Sequence, residues 1–297
     1  MKIAITGASG LIGSALSASL RGDGHQVVSF VRRHPRSPDE VRWDPASRRL
    51  DPAALAEVDG VVHLAGAGIA DKRWTGSRRR VVLDSRVDGT TTVAQALVAA
   101  QPRQRFLISA SAVGWYGDTG QRPVDESASA GSGFLAEVCR RWEAAAQPAV
   151  DAGVRVVFPR TGLVLSRRGG LMARILPLFR LGLGGKLGSG RQYWPWISLA
   201  DEVSALRLLI ESDLSGPVNL TGPEPVTNAE FTKTLGSVLG RPTLAAVPAF
   251  ALKLAVGDFA EEGILAGQRA VPRVLTETGF EFAHPTLRQA LEEVTAS

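Results

Sequence analysis

The sequence predicts an α/β fold in which a doubly wound parallel sheet carries a smaller, mostly helical lobe. Three observations lead to this prediction. Short, almost continuously apolar runs alternate with helix-length amphipathic stretches, as in parallel strands that helices bury on both faces. A Gly-x-x-Gly-x-x-Gly turn joins the first strand to the first helix. The alternation ends near Gly162, where glycine-rich and proline-rich segments begin.

The elements follow in order along the chain. Residues 11–20 are predicted to be a helix because Leu11, Ile12, Ala15, Leu16 and Leu20 recur at helical spacing. The apolar runs predict strands over residues 2–6, 26–31, 60–64, 106–109 and 154–158. Further helices are predicted over residues 85–100, 134–152, 228–239 and 287–294. Right-handed crossovers between parallel strands place such helices on both faces of the sheet.

The change of pattern after the last predicted strand suggests two domains. We expect a nucleotide-binding domain over residues 1–165, which the chain rejoins at about 195–222. Residues 166–194 and 223–297 would form the smaller substrate lobe.

Composition favours a globular protein of the cytoplasm. Hydrophobic residues make up 44% of the chain and charged residues 21%, as in ordinary globular domains. No apolar run approaches the roughly 18 residues that span a bilayer, and the first residues do not resemble a signal peptide. We therefore expect no membrane partner. The single cysteine, Cys139, excludes an intrachain disulfide and a cysteine metal site, and we expect no metal.

The charge pattern argues against nucleic acid. The net charge is +5, but the cations are scattered, and the densest run, Arg78–Arg80, has no interleaved aromatic residues. Such a surface attracts small anions, so an anionic small-molecule substrate fits it. The oligomeric state is not predicted.

The glycine turn indicates a dinucleotide site. Gly7 permits the tight turn, Gly10 lets the backbone approach a pyrophosphate, and Gly13 allows the helix to pack close to the strand. The start of the helix then presents N–H groups to the phosphates.

The end of the second strand favours NADP(H) over NAD(H). Arg32 and Arg33 follow this strand, and no carboxylate occurs before Asp39. Arginine accommodates a 2′-phosphate, whereas NAD binders usually place an acidic residue here. The alternative is ordinary surface charge, which would leave the cofactor open.

The third strand ends in the small residues Ala65–Ala67, against which an adenosine could lie closely. His63 lies within this apolar strand. We interpret it as a core histidine in preference to a catalytic base.

Several motifs together identify a family. The chain resembles the extended and atypical short-chain dehydrogenase/reductases of epimerase/dehydratase type, within them the epimerase family proteins, which are regarded as NADP-dependent oxidoreductases with a Rossmann fold and a small C-terminal domain. The resemblance covers essentially the whole chain. Its motifs are Thr6–Gly13, His63–Gly66, Asp84–Arg86, Ser109–Gly117, Trp142-Glu143, Leu181–Gly185, Pro195–Ile197, Thr227–Phe231 and Gly279–Pro285.

The resemblance implies a set of cofactor contacts. Arg32 and Arg33 would meet the 2′-phosphate, Arg86 would reach the dinucleotide, and the segment before Arg160 would lie beside the nicotinamide. The remaining implied contacts are Ser9, Leu11, Ile12, Leu64, Ala65, Gly66, Ser109 and Pro159.

The catalytic signature of these relatives is incomplete here. Hydride-transferring relatives carry a serine after the fourth strand and a Tyr-x-x-x-Lys on the next helix. Ser111 matches the serine, with Ser109 as an alternative. Leu135 and Cys139 stand where the tyrosine and lysine are expected, and we interpret Cys139 as a core residue.

The catalytic candidates are therefore Ser111 and Tyr116. Ser111 would orient the substrate, or it would be only a turn residue at the end of a strand. We interpret Tyr116 as a residue of the pocket wall in preference to the general acid. The proton would come from Tyr116, from Asp118 or Glu126, or from water. The loop 181–191, with Lys186 and Arg191, could cover an anionic substrate or be a mobile hairpin.

Three functions stay open from the sequence. The first is an NADP(H)-dependent oxidoreductase acting on a small carbonyl or hydroxyl compound. The second is an NADPH-binding sensor or scaffold without catalysis. The third is a sugar-nucleotide epimerase or dehydratase, against which the missing tyrosine and lysine argue.

Overall fold

The computed structural model describes residues 1–100 and 106–296. The strands are β1 (Lys2–Thr6), β2 (Gln26–Val31), β3 (Glu40–Arg42), β4 (Gly60–His63), β5 (Phe106–Ser109), β6 (Ser111–Ala112), β7 (Pro123–Val124), β8 (Arg155–Thr161), β9 (Leu163–Leu165), β10 (Gly185–Leu187), β11 (Tyr193–Trp194), β12 (Trp196–Ser198), β13 (Gly216–Leu220), β14 (Val226–Thr227), β15 (Ala245–Val247) and β16 (Arg269–Ala270). The helices are α1 (Leu11–Gly22), α2 (Gly76–Ala99), α3 (Phe134–Ala144), α4 (Gln147–Asp151), α5 (Gly170–Arg180), α6 (Leu199–Glu211), α7 (Asn228–Leu239), α8 (Ala249–Val256), α9 (Arg273–Glu277) and α10 (Leu287–Thr295). Short 3₁₀ turns cover Pro52–Leu55 and Val113–Tyr116, and a π-helix covers Ala260–Leu265.

The central sheet has the strand order β3-β2-β1-β4-β5-β8-β13, and β6 pairs with β8 beside β5. All of these neighbours pair in parallel. The order reverses between β1 and β4, which makes the carboxyl ends of these two strands the expected ligand crevice. The predicted doubly wound fold is confirmed.

Two apolar layers bury the faces of the sheet. On one face α1 and α6 contribute Leu16, Leu20, Leu206 and Leu209. On the other face α2 and α4 contribute most of the helical residues, among them Val93 and Leu97 from α2. Leu16 and Leu20 recur at the helical spacing that the sequence shows, whereas the helix that carries Leu206 and Leu209 was not among the predicted elements.

A third apolar cluster lies in the lobe beyond the sheet. It gathers side chains from α5, α7 and α10, including Met172, Phe231 and Leu291, around Trp196. The segment 199–220 returns to the sheet as α6 and β13. We keep the division into residues 1–165 with about 195–222, and 166–194 with 223–297, as a proposal.

Some predicted elements begin or end elsewhere. Helix α2 starts at Gly76, nine residues before the predicted start at Ser85, because Thr75 caps it by accepting a hydrogen bond from the Arg78 N–H. Only Val82 is buried in its first ten residues, so this part lacks an apolar stripe. The predicted helix 134–152 is divided into α3 and α4, since Pro148 lies in the first turn of α4.

No helix in the two described stretches of the chain is long and apolar enough to cross a membrane.

Candidate cofactor and substrate site

The structure brings the predicted cofactor residues to one edge of the sheet. Most of them lie at or after the carboxyl ends of four neighbouring parallel strands, β2, β1, β4 and β5. Arg86 lies on helix α2, and Pro159 lies within the next strand of the sheet, β8. Pro159 lies between the residues of β8 that pair with β5 and those that pair with β6. Because Pro159 has no pairing partner on this side of β8, its lack of an N–H group costs no hydrogen bond there. The residues are Gly7, Ser9, Gly10, Leu11, Ile12 and Gly13 after β1, Arg32 and Arg33 after β2, Leu64, Ala65 and Gly66 after β4, Ser109 at the end of β5, and Arg86 on α2.

The glycine turn is packed so closely that side chains would not fit. Gly7 has a φ of +70°, and its carbonyl accepts a hydrogen bond from the Gly10 N–H at 2.9 Å. A Cβ on Gly13 would lie 2.2 Å from that same carbonyl oxygen. A Cβ on Gly7 would lie 3.0 Å from the backbone nitrogen of Ala65. The turn therefore needs glycine both for its conformation and for the approach of α1.

The start of α1 is open to an anion. Its N-cap residue is Gly10, which offers no side-chain acceptor, and the first turn contains no acidic residue. By contrast, α2, α6, α7 and α10 are capped by hydroxyl side chains. The first N–H groups of α1 consequently lack a partner of that kind, and a phosphate would satisfy them.

The hydroxyl of Thr6 fixes the end of β4 against β1. Its oxygen accepts hydrogen bonds from the N–H groups of Leu64 and Ala65, each at 3.1 Å, and lies 2.7 Å from His63 Nδ1. His63 is fully buried, and burial, with a smaller effect of the Arg86 charge, lowers the pKa of His63 to about 3. The histidine is therefore neutral near pH 7, as a core residue would be.

The two arginines after β2 have different surroundings. The guanidinium of Arg33 donates two hydrogen bonds to the Glu40 carboxylate, at 2.7 and 2.5 Å, and this bonding lowers the pKa of Glu40 to about 2. Arg32 is exposed and has no hydrogen bond or ion pair within residues 1–100 and 106–296. Of the two predicted phosphate ligands, Arg32 is the one whose charge is unpaired.

Arg86 lies across the sheet edge from these two. Its guanidinium donates to the carbonyl of Ala67 at 3.0 Å and to that of Val82 at 3.0 Å. It also stacks 4.8 Å from the ring centroid of Trp142, and burial lowers the pKa of Arg86. The side chain is thus held beside the Gly66–Ala67 segment, and its contact with the dinucleotide, which the family resemblance implies, stays a prediction.

The two catalytic candidates lie in one buried network. The Ser111 hydroxyl donates to Glu143 Oε1 at 2.6 Å. The Tyr116 hydroxyl donates to Asn219 Oδ1 at 2.7 Å and accepts from Arg160 at 3.1 Å. Ser111 is 4% exposed and Tyr116 is 3% exposed, and burial raises the pKa of Tyr116. Neither side chain is among the residues that line the cavity described below, so their catalytic and pocket-wall roles stay predictions.

An ion pair joins the two halves of this network. Arg160 donates to both carboxylate oxygens of Glu143, at 2.9 and 3.0 Å, and its guanidinium lies 3.9 Å from the ring centroid of Trp115. Glu126 extends the network, since its Oε1 accepts from the Asn219 N–H at 3.0 Å. Sequence reasoning missed the roles of Arg160 and Asn219. The available signal was the position of Arg160 directly after the apolar residues 156–159, since a charge buried there requires a buried partner.

A cavity of about 380 Å³ opens next to this network. It lies between the start of α3, the turn after β6 and the π-helix of the C-terminal lobe. Its lining is Gly114, Gly117, Asp118, Ser132, Leu135, Glu261, Glu262, Leu265, Ala266 and Gln268. Leu135 is the residue that the family resemblance matches to the catalytic tyrosine, so this cavity is the candidate substrate site.

The charged groups of the cavity are acidic, and its other polar side chains are the neutral Ser132 and Gln268. Asp118 Oδ1 accepts from the backbone N–H groups of Gly120 and Gly267, at 3.1 and 3.2 Å. Glu262 accepts from the N–H of Leu135 at 3.0 Å, and Glu261 pairs with Lys253 at 2.6 Å. Among the described residues that line the cavity, none is a lysine or arginine. This lining suits a neutral or cationic polar compound better than the anionic one expected from net charge.

Two groups singled out in the sequence lie away from the chemistry. Cys139 is 3% exposed, and burial raises the pKa of Cys139 to about 12, so it is an inert core thiol. Lys186 and Arg191 are exposed and do not line the cavity. The loop that carries them is held by β10, which pairs with β15.

A buried carboxyl group lies at the end of β8. Glu202 is 1% exposed, accepts one hydrogen bond from Thr161 at 2.9 Å, and has no partner at Oε2 among the described residues. Burial raises the pKa of Glu202 to about 8. The folded chain therefore holds this proton over a pH range in which the unfolded chain has released it.

This difference predicts a pH effect on stability. Because the folded state binds the extra proton, the free energy of unfolding should fall as the pH rises from about 5 to about 8. Glu202→Gln should lose less stability than the wild type between about pH 5 and about pH 8 in urea titrations. Glu211→Gln, an exposed change on the same helix, should follow the wild type. Equal slopes for Glu202→Gln and the wild type would contradict the assignment.

Comparison with known families gives two matches. Residues 3–220 match the NAD dependent epimerase/dehydratase family, and residues 247–294 match a domain of unknown function, DUF1731. The chain is 52% identical over 294 residues to the epimerase family protein Mb2239 of Mycobacterium bovis, covering 99% of this chain and 97% of that protein. It is 34% identical over 300 residues to the human epimerase family protein SDR39U1, covering all of both chains.

Two solved structures are similar over nearly the whole chain. The crystal structure of human SDR39U1 (isoform 2) with NADPH has a TM-score of 0.87 at 32% identity and 99% coverage of each chain. The structure of a nucleoside-diphosphate sugar epimerase from Corynebacterium glutamicum has a TM-score of 0.82 at 36% identity. The match covers 99% of this chain and 58% of that one.

Proposed function

The chain belongs to the NAD dependent epimerase/dehydratase family, and from this premise we propose that it is a cytoplasmic NADPH-dependent oxidoreductase. Its substrate would be a small, uncharged or cationic carbonyl or hydroxyl compound. The observation that carries the proposal is the acidic cavity, which lies against Leu135 and Gly114 at the edge where the cofactor residues gather.

The cofactor assignment is supported by the fit of the site. The glycine turn and the uncapped start of α1 suit a diphosphate, and the human relative SDR39U1 was crystallised with NADPH. Arg32 follows β2, where a 2′-phosphate would lie. Bound there, NADPH would supply a hydride for a carbonyl carbon.

Arg32 should decide the preference for NADPH. Arg32→Ala should weaken NADPH binding about tenfold or more and leave NADH binding nearly unchanged, because it removes a charged hydrogen bond to phosphate. Arg33→Ala should have the smaller effect, since the Arg33 guanidinium is bound to Glu40. Fluorescence titration with both cofactors measures this, and an equal loss for NADPH and NADH in Arg32→Ala would exclude the role.

The proton for the substrate oxygen needs a group in the cavity. Of the three side chains considered from the sequence, Tyr116 and Glu126 are buried in the hydrogen-bond network, and Asp118 lines the cavity. We assign proton exchange with the substrate to Asp118 or to water that it holds. Ser111 and Tyr116 would position the cavity wall through Glu143 and Arg160.

A carbonyl panel tests the proposed activity. Purified protein is mixed with NADPH and uncharged, cationic and anionic carbonyl compounds, and the loss of nicotinamide absorbance is followed. We expect turnover with uncharged or cationic compounds, reduced about a hundredfold in Asp118→Asn. Glu137→Gln, which changes a side chain on α3 that is 44% exposed, is the control and should keep full turnover. Absence of turnover on every compound, with NADPH bound, would contradict the proposal.

That last outcome would point to the second candidate, an NADPH-binding sensor or scaffold. A specific observation favours it: the hydroxyl of Ser111 is taken by Glu143, and Leu135 and Cys139 replace the tyrosine and lysine of the relatives. A sugar-nucleotide epimerase is less compatible with the site. The nucleotide's diphosphate would need cations, and the cavity presents three carboxylates.

A further inference from the structure

Helix α8 is apolar along its length, yet none of its residues is buried. The same holds for the whole segment 241–256, whose only charged side chains are Arg241 and Lys253. Leu244 is 93% exposed, and Phe250 and Leu254 are each 76% exposed. Phe250 and Leu254 are four residues apart and so lie on one side of the helix.

A second exposed apolar segment adjoins this one. At the end of α5, Leu178, Leu181 and Leu183 are 49%, 73% and 62% exposed. The two segments are joined by the parallel pair β10 and β15, and Gly182 approaches the ring of Pro242. We call the six side chains Leu178, Leu181, Leu183, Leu244, Phe250 and Leu254 the apolar face. Folded proteins rarely leave so many large apolar groups together in water without a partner.

The charged residues within the two segments that carry the apolar face all have one sign. Residues 170–187 and 241–256 contain no Asp or Glu, and their cations are Arg174, Arg180, Lys186, Arg241 and Lys253. Arg174 and Lys253 lie near carboxylates of other segments. Arg180, Lys186 and Arg241 are exposed and have no ion pair in the described part of the chain. The border of the face is therefore positive.

We propose that the apolar face binds the surface of a bilayer containing anionic lipids. Exposed leucine and phenylalanine side chains flanked by lysine and arginine are the pattern of helices that lie in the membrane interface. Anionic headgroups attract such cations, whereas a face-to-face contact between two copies would bring like charges together. The expectation of no membrane partner rested on the lack of a spanning run, and surface binding does not need one. This proposal is independent of the oxidoreductase proposal.

Vesicle binding of the full chain tests the proposal. Protein is sedimented with vesicles of phosphatidylcholine alone or with about one third phosphatidylglycerol, at low and high salt. We expect binding to the anionic vesicles that weakens with salt, and little binding to the neutral ones. Phe250→Asp with Leu254→Asp should reduce binding about tenfold or more. Val81→Asp with Val150→Asp, exposed on other helices, is the matched control and should bind like the wild type.

A charge variant and a measurement of the molecular mass in solution, which distinguishes monomer from dimer, complete the test. Arg180→Glu with Lys186→Glu should reduce binding to anionic vesicles about tenfold or more. All variants change exposed side chains, so their melting temperatures should match the wild type. Two results would overturn the proposal: no vesicle binding, or a wild-type dimer that Phe250→Asp with Leu254→Asp converts to a monomer.

Discussion

Gly13→Ala should destabilise the protein by about 3 kcal/mol and prevent NADPH binding. The added Cβ would lie 2.2 Å from the carbonyl oxygen of Gly7, 2.9 Å from its carbonyl carbon and 3.0 Å from the Cα of Ala8. All three atoms belong to the backbone of the turn that would cradle the phosphates. They cannot rotate away as the end of a side chain could, so either the turn or α1 must move.

The control for this change lies in the same helix. Gly22 has no heavy atom within 4 Å of its would-be Cβ, so Gly22→Ala should keep or slightly raise stability, by up to about 1 kcal/mol. Urea unfolding gives the free energies, and NADPH titration gives the affinities. Gly13→Ala and Gly22→Ala could instead have the same free energy of unfolding and the same NADPH affinity. In that case, close packing of α1 on the turn would not be the reason for glycine at position 13.

Glu143→Gln should cost about 3 to 5 kcal/mol of folding free energy. The change leaves the guanidinium of Arg160, which is 2% exposed, without its counter-charge, and it weakens the acceptor of Ser111. A buried charge that loses its partner is far more costly than the pair was stabilising. Urea unfolding of the variant, measured near neutral pH, checks the value.

Two further variants separate this effect from general disturbance. Glu137→Gln breaks the exposed pair with Arg140 on the same helix and should change stability by less than about 1 kcal/mol. Glu143→Leu combined with Arg160→Leu should be more stable than Glu143→Gln, because no unpaired charge is left behind. If the double variant were the less stable protein, the cost would come from lost packing and hydrogen bonds.

The sheet was predictable where apolar runs end in glycine or polar residues. The bounds of β1, β2 and β5 agree with the prediction, since each is short, apolar and buried. Strand β13 was missed because Pro217 and Asn219 are unusual in strands. The strand lies at the edge of the sheet, where a proline is tolerated.

That the predicted cofactor residues would gather at one edge of the sheet could be expected for a related reason. They occur at the ends of predicted parallel strands, and all such ends meet at one edge. The substrate side was not predictable from spacing. Tyr116 and Asn219 are 103 residues apart, and Ser111 and Glu143 are 32 apart, so only the fold shows that they pair. In the same way, only the fold separates Asp118, which lines the cavity, from Glu126, which is buried.

The exposure of α8 could not be predicted either. A short apolar stretch with one lysine fits a buried helix as well as an interfacial one, and the difference lies in what packs against it. Here nothing in the described part of the chain buries it.

A crystal structure of this protein with NADPH tests the central claim most directly. We expect the diphosphate on the N–H groups at the start of α1, the 2′-phosphate on Arg32, and the nicotinamide ring facing the cavity between Gly114 and Leu135. Asp118 should then lie across the cavity from the reactive carbon of the nicotinamide. A nicotinamide turned away from that cavity, or a 2′-phosphate without contact to Arg32, would contradict the account.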